Sequence, residues 1–347
     1  MKDSNKVLVI GGGGREHAII HKLKESDKVS KIYCAPGNGG ITRDAECVPI
    51  GVMEFDKLVD FAKSNEIDMV MVAPDDPLAA GAVDAFENAG IRAFGPNKRA
   101  AIIEGSKVFS KNLMKKYGIP TAAYEVFDDE SAALAYLETA PVPTVIKADG
   151  LALGKGVIIA KDPAEAEAAV KSMLLDGKFG KSGSEIVVEE FMTGPEVTVL
   201  AFTDGKTVKP MISSMDHKRA YDNDEGLNTG GMGTIAPNPC YTDAFKAECM
   251  EKIFKPTIAA MSAEDRPFRG CLYFGLMLTP NGARVIEYNC RFGDPETQVV
   301  LPLLETDLTE IMDAIWEEKL DKLDIKWSDK SCACVVMASG GYPEKYE

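Results

Sequence analysis

"RVIEYNCRFGDPET" (residues 284–297) opens like a buried strand, with Val285, Ile286 and Tyr288, yet it crowds Glu287, Asn289, Arg291 and Asp294 into the same few positions. Side chains alternate along a strand. Glu287, Asn289 and Arg291 are therefore expected on one face, and Ile286, Tyr288 and Cys290 on the other. A carboxylate and an amide oxygen suit a hard cation such as Mg²⁺, which keeps several waters and is usually completed by substrate phosphates. An arginine two residues on can hold a phosphate or carboxylate through paired N–H donors. The same residues also fit the polar face of an edge strand running into a "GDP" turn. On this stretch alone the two readings stand level.

The chain has 347 residues, room for two or three domains with cores of their own. Its 39 Lys+Arg against 54 Asp+Glu give a formal charge of −15, which argues against nucleic acid or an anionic membrane as the main partner. Only four consecutive apolar residues, Val7–Ile10, precede the first glycine run, and no apolar run approaches membrane-spanning length. Eight cysteines are scattered without a CxxC pair, a pattern of reduced core residues rather than a disulfide or zinc framework. The expected compartment is the cytoplasm.

From residue 6 the pattern alternates strand and helix: "KVLVI", "REHAIIHKLKES", "KIYCAP", "FDKLVDFAKSNE", "IDMVMVAP", "GAVDAFENAG" and "IRAFGP". This predicts an α/β domain with an open parallel sheet covered by helices on both faces. Ligands bind such sheets at the carboxyl ends of the strands, here at "GGGGREH", "APGNGG", "APDDPL" and "GPNK". The first loop does not fit a dinucleotide fingerprint. Its third glycine would fall on Glu16 or His17, and the second strand ends in Pro36-Gly37-Asn38 instead of an acidic residue. The loop opens a helix and can hold a phosphate on its N–H groups, or it is a tight turn without a ligand.

After residue 105 the texture changes. "EGSKVFSKNLMKKYGIP" reads as a helix ending at Gly118, and "TVIKADGLALGKGVIIA" as two strands flanking a glycine-rich loop. The spacing is not that of a P-loop. It is similar to a flexible hairpin folded over nucleotide phosphates, with Lys147 and Lys155 as its charges, or else a surface hairpin with solvated lysines. "SEIVVEEFMTGPEVTVLAFTDG" predicts two strands, with Glu189 and Glu190 emerging into a cleft where backbone groups can read adenine and Glu196 can take ribose hydroxyls. "SSMDHKRAYDNDEGLNTGGMGTIAP" is long, polar and aperiodic. Its Asp216, His217, Lys218, Arg219, Asn228 and "TGGMG" suit the grasp of an anionic substrate by a functional loop.

In this order, "EGSK", "VIKADGLALGKG", "VVEEFMTGPE", "DHKR…NTGGMG" and "VIEYNCRFGDPET" closely resemble the ATP-grasp ligases, and specifically the phosphoribosylamine–glycine ligase family of purine biosynthesis. The resemblance covers essentially the whole chain. Its "DHKR", "NTGGMG" and "CRFGDPE" are specific to that family, whereas the hairpin alone indicates only an ATP-grasp enzyme.

The resemblance implies ATP-dependent ligation of glycine to 5-phosphoribosylamine through a glycyl phosphate, with Mg²⁺ or Mn²⁺ on Glu287 and Asn289. It implies ATP contacts from Lys107, Lys147, Gly154, Lys155, Gly156, Glu189, Glu190 and Glu196. Substrate contacts would come from Gly13, Arg15, Glu16, Asn38, Asp75, Asp216, Lys218, Arg219, Asn228, Gly230 and Arg291. Of these, Arg291, Lys147, Asp216 and Lys218 are the expected catalytic set. Small molecules are the expected partners, without nucleic acid or membrane, and the expected state is a monomer.

The implied architecture is an N-terminal domain of the biotin-carboxylase N-terminal type over residues 1–104, then an ATP-grasp domain over 105–328 with a small mobile lid at about 122–191. "SCACVVMASGGYPEKYE", within 329–347, reads as the beginning of a C-terminal domain whose remainder is absent. Two departures stand out: Asp75 in "APDDPL" replaces a glutamate, and Leu227 stands where a proline is common. The alternatives are another ATP-grasp ligase, for which "DHKR…NTGGMG" has no use, and a nucleotide-binding module without turnover, which has no need of the Glu287–Asn289–Arg291 face.

Overall fold

Val7 and Val9 pack into one core and Leu8 and Ile10 into another, so the first strand is buried on both faces. That is the environment of a central parallel strand. In the computed structural model, which describes residues 5–151, 156–174 and 184–345, this strand is β1 (Asn5–Gly11). With β2 (Val29–Pro36), β3 (Glu46–Cys47), β4 (Met69–Val72) and β5 (Arg92–Phe94) it forms a parallel sheet in the order β3-β2-β1-β4-β5. Helix α1 (Gly14–Lys24) covers one face, while α2 (Phe55–Ser64) and α4 (Ala82–Asn88) cover the other through Leu58 and Phe86. Each such fully buried side chain contributes about 1.5–3 kcal/mol.

The "APDDPL" stretch, expected as a plain loop, forms α3 (Asp75–Ala80). Extended Pro74 is its N-cap, and Asp75 and Asp76 in the first turn favour the positive end of the helix. Further on, Ser106 ends α5 (Lys98–Gly105) and caps α6 (Lys107–Tyr117), accepting the Phe109 N–H at 3.0 Å. This break sets Glu104 at the end of one helix and Lys107 at the start of the next.

Strands β6 (Tyr124–Phe127), β7 (Thr144–Ala148), β8 (Val157–Ala160) and β9 (Ile186–Glu190) form an antiparallel sheet in the order β6-β9-β7-β8. Helices α7 (Glu130–Leu137) and α8 (Pro163–Leu174) close a core of its own around Ile146, Val170, Met173 and Val188. The predicted hairpin is therefore present, β7 against β8.

The central antiparallel sheet runs β11-β10-β16-β17, from β10 (Glu196–Asp204), β11 (Val208–Pro210), β16 (Arg269–Thr279) and β17 (Gly282–Asn289). Its register shifts once. Gly275 opposes Glu287 while Leu276 opposes Val285, which leaves Ile286 as an extra residue in a β-bulge. The expected pairing of Ile286 with Tyr288 on one buried face is thus corrected, because Val285 and Tyr288, three apart, both enter the core. Beyond the bulge the alternation resumes as expected.

The aperiodic polar stretch is not one loop. It holds β12 (Met215–Asp216), the hairpin β13 (Arg219–Tyr221) and β14 (Glu225–Asn228), and β15 (Gly233–Ala236). Strand β15 also pairs with β18 (Cys332–Val335), nearly a hundred residues later. Phe292 packs between Phe94 and Phe202, at ring separations of 6.0 and 6.1 Å, and joins the parallel sheet to the central one.

Candidate active site

The end of β17 gathers charge from four separate elements. Burial pushes the Glu287 carboxyl up, but Lys218, Lys147, Lys107 and Arg291 outweigh it and hold the group below the usual carboxylate range. Asn289 Oδ1 accepts from Arg291 Nη2 at 3.2 Å, so the amide and the guanidinium share one face. The Ile286 carbonyl, at the bulge, accepts from Lys147 Nζ at 3.3 Å. Lys107 Nζ donates to the Gly150 carbonyl at 2.7 Å. Burial lowers the Lys107 pKa, Glu287 opposes this, and the neighbouring Lys147 adds to it, leaving the net shift downward. Gly275 leaves room opposite Glu287: a Cβ there would stand 3.2 Å from Glu287 Cγ and press on that side chain.

The two glutamates of β9 part company, as strand alternation requires. Glu189 is buried and bridges Lys111 and Lys147, each at 3.1 Å. Glu190 faces the other way, pairing with Arg284 at 3.2 Å. The carbonyl of Gly156 accepts the Ala148 N–H at 2.9 Å and closes the base of the β7–β8 hairpin. Gly154 and Lys155 lie outside the described residues.

On the opposite side, the first glycine loop is stitched to the stretch following β17. The Arg15 N–H donates to Asp294 Oδ2 at 3.3 Å, and Arg15 Nη1 donates to the Phe292 carbonyl at 3.2 Å. Glu16, which is buried, accepts the Gly13 N–H at 2.5 Å and pairs with Arg15 Nε at 2.7 Å, so its carboxylate is committed to the loop. Asn38 bonds the Gly12 carbonyl at 2.8 Å and accepts from Gly40 and Ile41, bracing the neighbouring loop. Asp75 lies within electrostatic reach of Arg291 and supports its charge.

Asp216 and Lys218 come in from β12 and the residues after it. Burial, and next Glu296, push the Asp216 carboxyl up to about 7, with Lys218 opposing. Burial works against the Lys218 charge, yet Glu287, Glu196, Asp216 and Glu296 outweigh it and raise its pKa. Glu196 lies 3.6 Å from Lys218 Nζ. Arg219 and Asn228 face each other across the exposed hairpin, where Arg219 donates to the Gly226 carbonyl at 2.8 Å. The Gly230 N–H points to the Tyr342 hydroxyl at 3.4 Å.

The chain resembles known proteins along almost its whole length. The model of the phosphoribosylglycinamide synthetase N domain matches residues 5–104, and that of the ATP-grasp (A) domain of the same synthetase matches residues 105–297. The chain belongs to the phosphoribosylglycinamide synthetase family. A phosphoribosylamine–glycine ligase of Caldanaerobacter subterraneus subsp. tengcongensis is 53% identical over 342 residues, covering 99% of this chain and 82% of that protein. The crystal structure of phosphoribosylamine–glycine ligase from Thermotoga maritima superposes with a TM-score of 0.84 at 31% identity, over 99% of this chain and 82% of that one. The fold is shared more widely. An N5-carboxyaminoimidazole synthase from Aspergillus clavatus, solved with ADP and 5-aminoimidazole ribonucleotide, gives a TM-score of 0.70 at 17% identity, covering 99% and 84% of the two chains.

ATP-grasp enzymes use ATP with a divalent metal, and the residues at the end of β17 fit such an ion. Among the described residues none hydrogen-bonds the Glu287 carboxylate, which is kept ionised by the cations around it. Its oxygens and Asn289 Oδ1 are the hard donors that Mg²⁺ prefers. Three further residues belong to the site and were not singled out from the sequence. Glu104, inside "EGSK", pairs with Arg291 at 3.2 Å; Lys111 pairs with Glu189; buried Glu296, inside "GDPET", approaches Thr198 Oγ1 at 3.3 Å. Their place within or one turn beyond quoted motifs was the available signal.

Proposed function

We propose that this ligase joins glycine to 5-phospho-D-ribosylamine, giving glycinamide ribonucleotide, ADP and phosphate, in purine biosynthesis. A glycine carboxylate oxygen attacks the γ-phosphorus of ATP, the bond to the β-phosphate oxygen breaks, and ADP leaves. The amine nitrogen then attacks the acyl carbon of glycyl phosphate, phosphate departs with the carbon–oxygen electrons, and the nitrogen gives up a proton. We assign that proton to Asp216, whose pKa near neutrality suits a general base.

Lys107, Lys147 and the β7–β8 hairpin, with Gly154, Lys155 and Gly156, hold the nucleotide, and Glu189 and Glu196 line its adenine and ribose end, while Glu190, paired with Arg284, is left outside that lining. Mg²⁺ or Mn²⁺ held by Glu287 and Asn289 supplies neutralisation of phosphate charge when bound. Arg291 and Lys218 stabilise the acyl-phosphate oxygens. The phosphoribosylamine side falls to Gly13, Arg15, Asp75, Arg219, Asn228 and Gly230, with Glu16 and Asn38 bracing the loops behind it. Residues 1–104 form the substrate-binding domain and 105–328 the ATP-grasp domain, with the lid at about 122–191. The enzyme acts in the cytoplasm as a monomer on small molecules; among the described residues no helix is long and apolar enough to cross a membrane.

The observation that carries this reading is the single face formed by Glu287, Asn289 and Arg291 and ringed by Lys107, Lys147 and Lys218. The test is ADP release with Mg²⁺-ATP, glycine and phosphoribosylamine generated in place, each left out in turn. Turnover that needs all of them supports the reading. ADP release only with another carboxylate or amine assigns the chain to a different ATP-grasp chemistry.

A further inference from the structure

His17 and His21 are one turn apart on α1, and their imidazoles stack with centroids 4.9 Å apart. Both Nε2 atoms converge on one oxygen of Asp44, which follows the short 3-10 turn Ile41–Arg43. His17 Nε2 is 2.8 Å from Asp44 Oδ2, and His21 Nε2 is 3.3 Å from the same atom. Lys24 already holds the other oxygen, Oδ1, at 2.7 Å, so the carboxylate does not need two imidazoles for charge balance. The three donor atoms lie within 4.8 Å of one another. The proposed catalytic residues supply none of them.

We propose that His17, His21 and Asp44 form a binding site for a late first-row transition-metal dication of the Zn²⁺ type, separate from the Mg²⁺ position at the end of β17. Two donors about 2.0–2.1 Å from a tetrahedral ion stand roughly 3.3 Å apart. The His21–Asp44 separation of 3.3 Å already has that value, and the His17–Asp44 contact opens by about 0.5 Å to reach it. Histidines at i and i+4 on one helix face are the pair that zinc helices use. Two imidazole nitrogens and one carboxylate select Zn²⁺, Co²⁺ or Ni²⁺ over Mg²⁺, and leave a fourth position for water. A bound ion would staple α1 to the loop containing Asn38, which bonds Gly12 of the first glycine loop.

The test is equilibrium dialysis of the chelator-stripped full chain against Zn²⁺ in excess Mg²⁺, beside His21→Ala and Asp44→Asn. His21 is exposed, so its loss leaves the fold intact. Loss of an outer-shell partner weakens a metal site by about 10–100-fold, and loss of a direct ligand should weaken this one at least as much. One equivalent bound by the parent chain and lost in both variants supports the site. With Co²⁺ as probe, the parent should show visible ligand-field bands and no thiolate charge-transfer band in the near ultraviolet. Equal Zn²⁺ uptake by parent and variants, a thiolate band, or no uptake by the parent would overturn it.

Discussion

Arg291 Nη2 lies 3.2 Å from Glu104 Oε1, a contact spanning 187 positions of the chain, and the other carboxylate oxygen of Glu104 accepts the Cys290 N–H at 2.7 Å. One buried carboxylate therefore fixes both the backbone leaving β17 and the guanidinium presented to the site. Burial pushes Glu104 up from the usual carboxylate range, while Arg291 draws it back. Burial also opposes the Arg291 charge, but Glu104 and Asp75 outweigh it. Glu104→Ala leaves a largely buried guanidinium without its main partner, which should lower unfolding stability by roughly 3–5 kcal/mol. Urea denaturation of the two proteins measures this. A loss within the error of the parent value would mean that Asp75 alone compensates Arg291.

Asp216 makes stability depend on pH in a defined direction. Its folded pKa of about 7 lies above the ordinary value of 3.8, so between these values the folded state holds a proton that the unfolded state has released. The contribution is fully present below the ordinary value and fades as pH rises through about 7. Asp216→Asn removes this titration. Thermal melts of the ligand-free protein across that window should show the variant gaining on the parent as pH rises. A difference that stays flat with pH would argue against the shifted carboxyl.

Gly231 lets the "TGGMG" turn lie against the site. Its φ is +132°, and an added Cβ would stand 2.4 Å from Pro295 Cδ and 2.7 Å from Asp216 Oδ1. Gly231→Ala should displace Asp216 and lower kcat by about a hundredfold, the scale of a 1 Å misplacement of a reacting group. Steady-state kinetics paired with a melt separates this from unfolding. An unchanged kcat in a folded variant would remove Asp216 from the reacting groups.

Glu287→Ala should abolish metal-dependent ADP release while leaving the fold intact, because the carboxylate anchors no hydrogen bond among the described residues. Circular dichroism and measurement of ADP release with Mg²⁺-ATP, glycine and phosphoribosylamine check both halves. Near-normal turnover would move the metal to other ligands.

The elements most legible in the sequence are those written in local periodicity. The apolar runs of β1 and β4, the hairpin around Gly150, and the shared face of Glu287, Asn289 and Arg291 follow from alternation or from short-range spacing. The residues expected at the site do not all turn toward it. Glu190 pairs with Arg284 on the far side of its strand, and Glu16 and Asn38 are committed to holding the glycine loops. The partners of Glu190 and Asn38 lie in other segments, whereas those of Glu16, namely Gly13 and Arg15, lie in its own motif and are brought to it by the turn into α1.

By itself the sequence determined the family, the alternation of strands and helices that builds the parallel sheet, and the identity of the strand proposed to bind metal, since each is carried by a contiguous pattern. Tertiary structure alone decided the bulge at Ile286, whose carbonyl meets Lys147, and the pairing of β15 with β18. It also decided the partnership of Arg291 with Glu104 and the convergence of His17 and His21 on Asp44. In each case the deciding partner is distant in the chain, or sits across a sheet or a helix–loop contact. Its energy comes from burial, charge and hydrogen bonds formed only once the chain has closed.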